Sequence, residues 1–481
     1  MKKFLSLVLA LAMAMSLVVV NTSAKEFTDS DDLNYKEAVD VISEIGVVDG
    51  YTDGSFNPQG GLTRGAAAKI ICNLILGPTT AAELRADTRP FSDVAVDSEF
   101  AGYIAYCAQQ GIISGYADGE FKAANPLTGY AFMKMLLGAL GYSTDIENYV
   151  GENWSINVAK QAIGIGLNQG LVDEFNGVDY VTREEAALYA FNTLKATLVD
   201  YDNTISANVN GAEVVISNNT AKPVTWSEGI NEDGNIKDDG FVQFAEEYFP
   251  DLVRKDDSTK FEEPANTWVY AKTEIGTYER LDLLVESYTT GVTGREIYDL
   301  LKSGVIDDND LDVYLNGADN YGAAAGQIEK DDLVRSNTDD LGSTGNGVLT
   351  KVYLDTDKEL ITIVSINTWL AQATTDYSEA NEYATLRVYT GVTGASNSVT
   401  TANYNVDVED VPAVADVTDG TFYQVNISFK DVQPNGEIVV LQDVEVLEDS
   451  TITEYSSDNG NTTNADAKVT KLTTGGEEYN A

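Results

Sequence analysis

From about residue 27 to 197, hydrophobic positions recur at helical spacing in amphipathic stretches separated by glycine-rich turns. YKEAVDVISEIG (35–46) and FAGYIAYCAQQG (100–111) are predicted as helices that run up to a glycine. GAAAKIICNLILG, YAFMKMLLGALG and EEAALYAFNTLK are predicted as a second set. From about residue 200 the pattern changes to short runs rich in Thr, Val and Tyr, bounded by Asn, Asp and Gly. AEVVISNN (212–219), LTKVYLD (349–355), LITIVSI (360–366), FYQVNISF (422–429) and EIVVLQDVEVL (437–447) read as strands. An all-α part therefore precedes a β-rich, sandwich-like part.

The helical part repeats itself three times. Gly46, Gly111 and Gly166 each open a Gly-x-x-x-Gly that ends at Gly50, Gly115 and Gly170. Asp53, Asp118 and Asp173 follow their anchors at one spacing, and Phe56, Phe121 and Phe175 follow within one residue of a common spacing. Thr63, Thr128 and Thr182 then precede the second helices, and Tyr35, Phe100 and Trp154 stand before the anchors. Each anchor glycine suits a left-handed helix cap, which costs glycine no Cβ clash. GYTDGSF (50–56) and GYADGEF (115–121) carry the Asp-Gly chemistry of a tight turn, after which the phenylalanine plugs back into the core. The threonines are expected as N-caps, with a full capping box only in Thr182-Arg183-Glu184-Glu185. Units of this size cannot hold a core alone, so three copies are expected to pack around one shared axis.

Composition narrows the function. With 77 acidic and 30 basic residues the net charge is -47, which excludes nucleic acid as a partner. There is no histidine, so the commonest general base and the Ser–His and Cys–His pairs are missing. Residues 1–24 read as a cleaved secretory signal: Lys2 and Lys3, an apolar run from Phe4 to Val20, then Thr22-Ser23-Ala24. That run is at the short end for a membrane span, and no membrane insertion is expected after cleavage. Cys72 and Cys107 both sit in apolar helical patterns and are expected as buried free thiols; spacing alone does not argue a disulfide.

FSDV (91–94), GYTDGSF, GYADGEF, LTRG (62–65) and VTREE (181–185) together resemble the S-layer homology (SLH) family. The resemblance covers roughly residues 30–197, as repeats at 27–86, 87–144 and 145–198. It implies a pseudo-threefold helical bundle that binds secondary cell-wall polysaccharide bearing a pyruvate ketal, in grooves between the copies. An arginine at the first turn of a capped helix suits a carboxylate, since helix N-termini favour anions and a guanidinium grips bidentately. Arg64 and Arg183 are the expected grips. Tyr35, Phe100 and Trp154 are candidates for stacking on a sugar or for core packing. Asp53, Asp118 and Asp173 are candidates for sugar hydroxyls or for turn-making. The second copy departs from the pattern, reading Thr128-Gly129-Tyr130 with no arginine, so one or two working grooves are expected.

The β-rich part is divided at 200–300, 301–400 and 401–481, the last segment ending just after a strand-like start. Asn266-Thr267-Trp268 with Gly291-Val292-Thr293-Gly294 finds an echo in Asn367-Thr368-Trp369 with Gly391-Val392-Thr393-Gly394, which suggests two related modules. Acidic stretches at 232–240, 307–312 and 355–359 match no EF-hand loop; no cofactor is expected, with calcium as an unlocated alternative. The expected function is a non-enzymatic, extracellular cell-wall or S-layer protein whose partner is wall glycan, with self-assembly through the β part. The rivals are a wall-anchored exoenzyme of glycoside-hydrolase type, recognisable by two carboxylates in a cleft, and a glycan-binding adhesin.

Overall fold

The computed structural model describes residues 25, 27–201, 206–209, 212–215, 220–226, 235–345, 347–393, 398–432 and 436–443, and the strands at 452–457, 469–474 and 477–480. The signal expected at 1–24 lies outside the described residues. The chain forms two compact units, one of Thr22–Lys255 with Thr267–Gly276 and one of Asp256–Asn266 with Thr277–Ala481.

The first unit carries six principal helices among the described residues. They are α1 (Lys36–Glu44), α2 (Arg64–Leu76), α3 (Ala101–Gln109), α4 (Gly129–Ala139), α5 (Trp154–Gly164) and α6 (Arg183–Lys195). They come in pairs, two to a copy, and the first helix of each copy packs on the second helix of another. Thus α3 lies on α2, α5 on α4 and α1 on α6. Gly46, Gly111 and Gly166 take φ of 74°, 72° and 78°, the left-handed caps that the sequence pattern requires. Thr63 accepts a cap bond from the Ala66 amide, and Thr182 forms the full box with Glu185. Thr128 stands at the same place in α4 but makes no side-chain cap bond, against expectation.

The residue before each threonine ties the copies together. The Leu62 amide donates to the Val181 carbonyl at 2.8 Å, Val181 to Leu127 at 3.0 Å, and Leu127 to Leu62 at 2.9 Å. These three bonds close a ring, and all three side chains are buried. The ring satisfies backbone groups that would otherwise be lost to burial. It also holds the start of each second helix against a neighbouring copy.

Phe56 and Phe121 plug the core as expected, at 0% and 1% exposure. Each is covered by an aromatic ring from its own copy, Phe27 at 5.2 Å and Phe91 at 5.3 Å. Phe175 is only half-buried and lies edge-on to Tyr130 and Tyr189. Trp268 is fully buried in this unit; its indole nitrogen donates to Glu37 Oε1 at 2.7 Å and its ring meets Phe191.

The second unit is built on a nine-stranded sheet. Its strands are β1 (Leu284–Tyr288), β2 (Asp310–Leu315), β3 (Val348–Asp355), β4 (Leu360–Ala373), β5 (Tyr383–Thr393), β6 (Ser398–Asp407), β7 (Phe422–Ser428) and β8 (Glu437–Asp443), with the two-residue Ala318–Asp319. Strands on both sides of positions 300 and 400 thus share one sheet. β4 organises it. Its first half runs antiparallel to β3 and parallel to β2, and its second half runs antiparallel to β5 and β7.

Alternation along β4 sends Ile361 and Ile363 into one core and Val364 and Ile366 into another. A continuous apolar run such as LITIVSI is what a strand buried on both faces requires. The core of Ile361 and Ile363 is closed by a helical segment, α7 (Gly294–Asp308), which breaks at Lys302 with φ of 70°, through Ile297, Leu301 and Ile306. A helix rather than a second sheet covers this part, which departs from the sandwich-like expectation.

The two Gly-Val-Thr-Gly segments do not share a structure. Thr293 caps α7 in a capping box with Glu296, whereas Gly391 to Thr393 continue β5, and Gly394 lies outside the described residues.

The same unit buries an ionic cluster. Lys351 Nζ donates to Glu263 Oε1 at 2.7 Å and to Glu279 Oε2 at 2.8 Å, and the Tyr353 hydroxyl donates to Glu279 Oε1 at 2.7 Å. Burial works against the charge on Lys351, but the pull of the two carboxylates outweighs it and its pKa rises.

Candidate functional site

Arg64 and Arg183 occupy the first position of α2 and α6, and both reach across into the loop of another copy. Arg64 Nε donates to the Phe121 carbonyl at 2.8 Å and Nη2 to the Ser114 carbonyl at 3.2 Å. Arg183 Nε donates to the Phe56 carbonyl at 2.8 Å and Nη2 to the Asp49 carbonyl at 2.9 Å. Ser114 and Asp49 are equivalent positions, as are Phe121 and Phe56, so one constellation is built twice. The guanidinium lies 5.0 Å from the Tyr116 ring and 4.4 Å from Phe121 in one crevice. In the other it lies 4.7 Å from Tyr51 and 4.9 Å from Phe56.

These contacts fix the plane of each guanidinium by its Nε–Nη2 edge. Neither Nη1 group has a partner among the described residues, so its two N–H groups remain for a ligand. Burial lowers both pKa values from the ordinary one. Arginine nonetheless stays protonated, and a half-buried cation attracts an anion more strongly than one in bulk water.

The open amides expected at the helix tips are not open. The Arg64 and Gly65 amides donate to Asn125 and Ala123, and the Arg183 and Glu184 amides donate to Gly60 and Pro58. Packing between copies consumes them, so the side chain carries the anion-binding capacity.

The third crevice is different. Gly129 replaces the arginine, and a side chain there would start 3.0 Å from the Gly177 Cα. Tyr130 lies across Gly177, where a Cβ would be 2.2 Å from the ring. What remains is a cavity of about 160 Å³ lined by Tyr35, Gly129, Asp173, Glu174, Asp179, Glu185 and Tyr189 among others. The loop facing it has Leu171 where the two arginine-receiving loops have Tyr51 and Tyr116.

The remaining candidates divide between the crevices and the scaffold. Asp53 accepts from the Ser55 amide and hydroxyl, at 3.0 and 2.8 Å, and the Ser55 amide holds its pKa below the ordinary value. Asp118 pairs with Lys122 at 2.9 Å and accepts from the Glu120 amide, and the Lys122 bond lowers its pKa. Both therefore build their turns while staying exposed. Asp173 and Tyr35 meet at the third cavity, where the Tyr35 hydroxyl accepts from the Val172 amide at 3.3 Å and burial raises its pKa. Phe100 packs on Gly65 at the start of α2, where an added Cβ would be 2.7 Å from its ring. The Lys134 ammonium stands 5.8 Å from the Trp154 ring centre.

Two loop-forming residues escaped the sequence reading. Asp29 accepts from the Phe56 and Asn57 amides, and Asp93 accepts from the Phe121 and Lys122 amides, all at 2.7 Å. The available signal was the recurrence of Phe27-Thr28-Asp29 as Phe91-Ser92-Asp93.

Among the described residues no group of three or more Cys, Asp or Glu side chains is placed to hold a metal ion. Residues 232–234 of the first acidic stretch lie outside the described residues. The Glu263–Glu279 carboxylate pair is buried against Lys351.

The S-layer homology domain model matches residues 26–68 and 90–129, the first helix and loop of two copies with the start of their second helices. Over these two stretches the chain matches the S-layer homology domain. Among its relatives, a surface layer protein of Brevibacillus choshinensis is 24% identical over 50% of this chain and 21% of its own. A middle cell wall protein of Brevibacillus brevis is 24% identical over 42% of this chain and 19% of its own. A protein of Bacillus anthracis named as an uncharacterized cell wall amidase is 26% identical over 36% of this chain and 33% of its own. The chain thus spans a fifth to a third of the length of these relatives. The family match and the surface-layer relatives assign the protein to the extracellular cell wall or S-layer. The third copy, outside the matched residues, has the same helices and glycine cap.

Proposed function

We propose that the two arginine-lined crevices grip carboxylates of a wall polysaccharide, in the form of pyruvate ketals, and thereby fasten the protein to the wall without a covalent bond. The sheet unit then spaces or assembles outside the wall, and the whole acts as a structural surface protein rather than an enzyme. Arg64 and Arg183 are the grips; Tyr51, Tyr116, Asp53 and Asp118 line the loops beside them. The closed ring of backbone bonds and the cyclic helix packing favour a pseudo-threefold bundle with two armed crevices and one unarmed. Asp173 and Tyr35 belong to the unarmed one. Phe100 and Trp154 act as packing residues. The reading rests on one observation: two arginines in different copies are held through the same Nε and Nη2 atoms by equivalent carbonyls, with the Nη1 side of each left over. The crevices' local positive charge works despite the acidity of the whole molecule, because charges beyond about 8 Å are largely screened at physiological salt.

The test is sedimentation of the full chain with purified cell wall, before and after removal of the ketals. Wild-type protein is expected to pellet only with the ketal-bearing wall. The Arg64→Lys plus Arg183→Lys variant keeps the charge but loses the planar fork. Each lost charge-assisted pair is worth about 1.5–3 kcal/mol, so each site is expected to weaken binding by roughly tenfold or more. Unchanged binding in a folded Arg64→Ala plus Arg183→Ala variant would reject the assignment.

A further inference from the structure

Cys72 and Cys107 are the two cysteines of the chain, and both are fully buried. One lies on α2 of the first copy and the other on α3 of the second, helices that pack directly together. Their sulfur atoms face each other at 3.5 Å. The other hydrogen-bond partners of the two sulfurs among the described residues are the Tyr103 carbonyl at 3.5 Å and the Ala68 carbonyl at 3.6 Å. Thiols are weak donors, so removing both hydrogens strands no strong hydrogen bond. We propose that in the exported protein Cys72 and Cys107 are joined as a disulfide, a modification site that pins the first copy to the second.

The geometry asks little. A disulfide bond is about 2.05 Å long, so the sulfurs, now 3.5 Å apart, need to close by about 1.5 Å. The location supplies the chemistry, because disulfides form and persist outside the cell, away from the cytosolic thiol pool. In the reaction the two thiols lose two protons and two electrons, one S–S bond forms, and an external disulfide oxidant is reduced to two thiols. The timing follows from burial. The Cys107 hydrogen bond, with burial behind it, holds Cys72 in its unreactive thiol form, so oxidation belongs to the stage at which the copies are still coming together. Once formed, the bond lies where an external thiolate does not reach it.

The test uses the full chain in two preparations: protein stripped from the cell surface, and reduced protein refolded with oxidised glutathione. Both are denatured and alkylated, with and without prior reduction, and weighed intact. The expected result is no alkylated cysteine before reduction and both alkylated after it, with unreduced chains lighter by two hydrogens. Two alkylated cysteines in the unreduced surface protein would overturn the proposal. In melting, wild type reduced while unfolded and then refolded without oxidant is expected to melt below oxidised wild type, and the same treatment to leave Cys72→Ala plus Cys107→Ala unmoved. An equal shift in both would also overturn it.

Discussion

Lys351 is a residue whose loss the structure makes costly. Its side chain is 6% exposed, those of Glu263 and Glu279 are 0% and 7% exposed, and its ammonium bridges the two carboxylates at 2.7 and 2.8 Å. Lys351→Met keeps most of the volume but leaves two buried carboxylates facing each other without a cation. Breaking a buried ion cluster in this way costs about 3–5 kcal/mol. That is a large share of the roughly 5–15 kcal/mol that holds a domain together. For a unit of this size, each kcal/mol moves the melting temperature by about 2–4 °C, so a drop of roughly 6–20 °C is expected. Calorimetry of the full chain measures it.

Adding Glu263→Leu and Glu279→Leu removes the stranded charges and is expected to recover much of the loss, since apolar replacements of buried ion clusters are often neutral. The alkaline limb gives a second reading. A lysine whose folded pKa is raised contributes stability that is complete below its unfolded value of about 10.4 and is lost as pH rises through the folded pKa. On the alkaline side the melting difference between wild type and Lys351→Met should therefore begin to shrink above about pH 10.4. A Lys351→Met variant within about 1 kcal/mol of wild type at neutral pH would refute the reasoning, because that is the size of an ordinary substitution.

Thr182→Ala removes a capping box and is expected to cost about 1 kcal/mol in thermal melting, whereas Thr128→Ala, which breaks no cap bond, should stay within about 0.5 kcal/mol. Asp93 has its pKa lowered by the Phe121 amide bond, so its hold on the second loop is present above about pH 3.9 and is lost as pH falls through the depressed folded value. Hydrogen exchange at the Phe121 and Lys122 amides should therefore quicken only in acid beyond the ordinary aspartate range, and Asp93→Asn should quicken it at neutral pH.

Local chemistry was legible in the sequence and partnerships were not. Left-handed caps at Gly46, Gly111 and Gly166, the threonine caps of α2 and α6, and the plugs Phe56 and Phe121 each depend on residues within one turn or loop, so spacing exposes them. The arginines were placed by the motif, but their carbonyl partners lie 50 to 134 residues away, on other copies. The Lys351 cluster joins residues 72 and 88 apart, and no periodicity announces it. Thr128 shows the reverse failure, a matching motif whose side chain makes no bond. The two Gly-Val-Thr-Gly segments are a second case of that kind: Thr293 closes a capping box with Glu296, whereas Gly391 to Thr393 run as a strand.

β4 bonds to β2 and β3 along its first half and to β5 and β7 along its second, so neither half of the sheet owns it. Melting one half would strip the shared strand of partners that the other half needs. The described strands β1 to β8 are accordingly expected to open as a single foldon. Proteases that cut transiently opened chains would find few local openings there, which suits a molecule that works beyond the reach of the cell's chaperones.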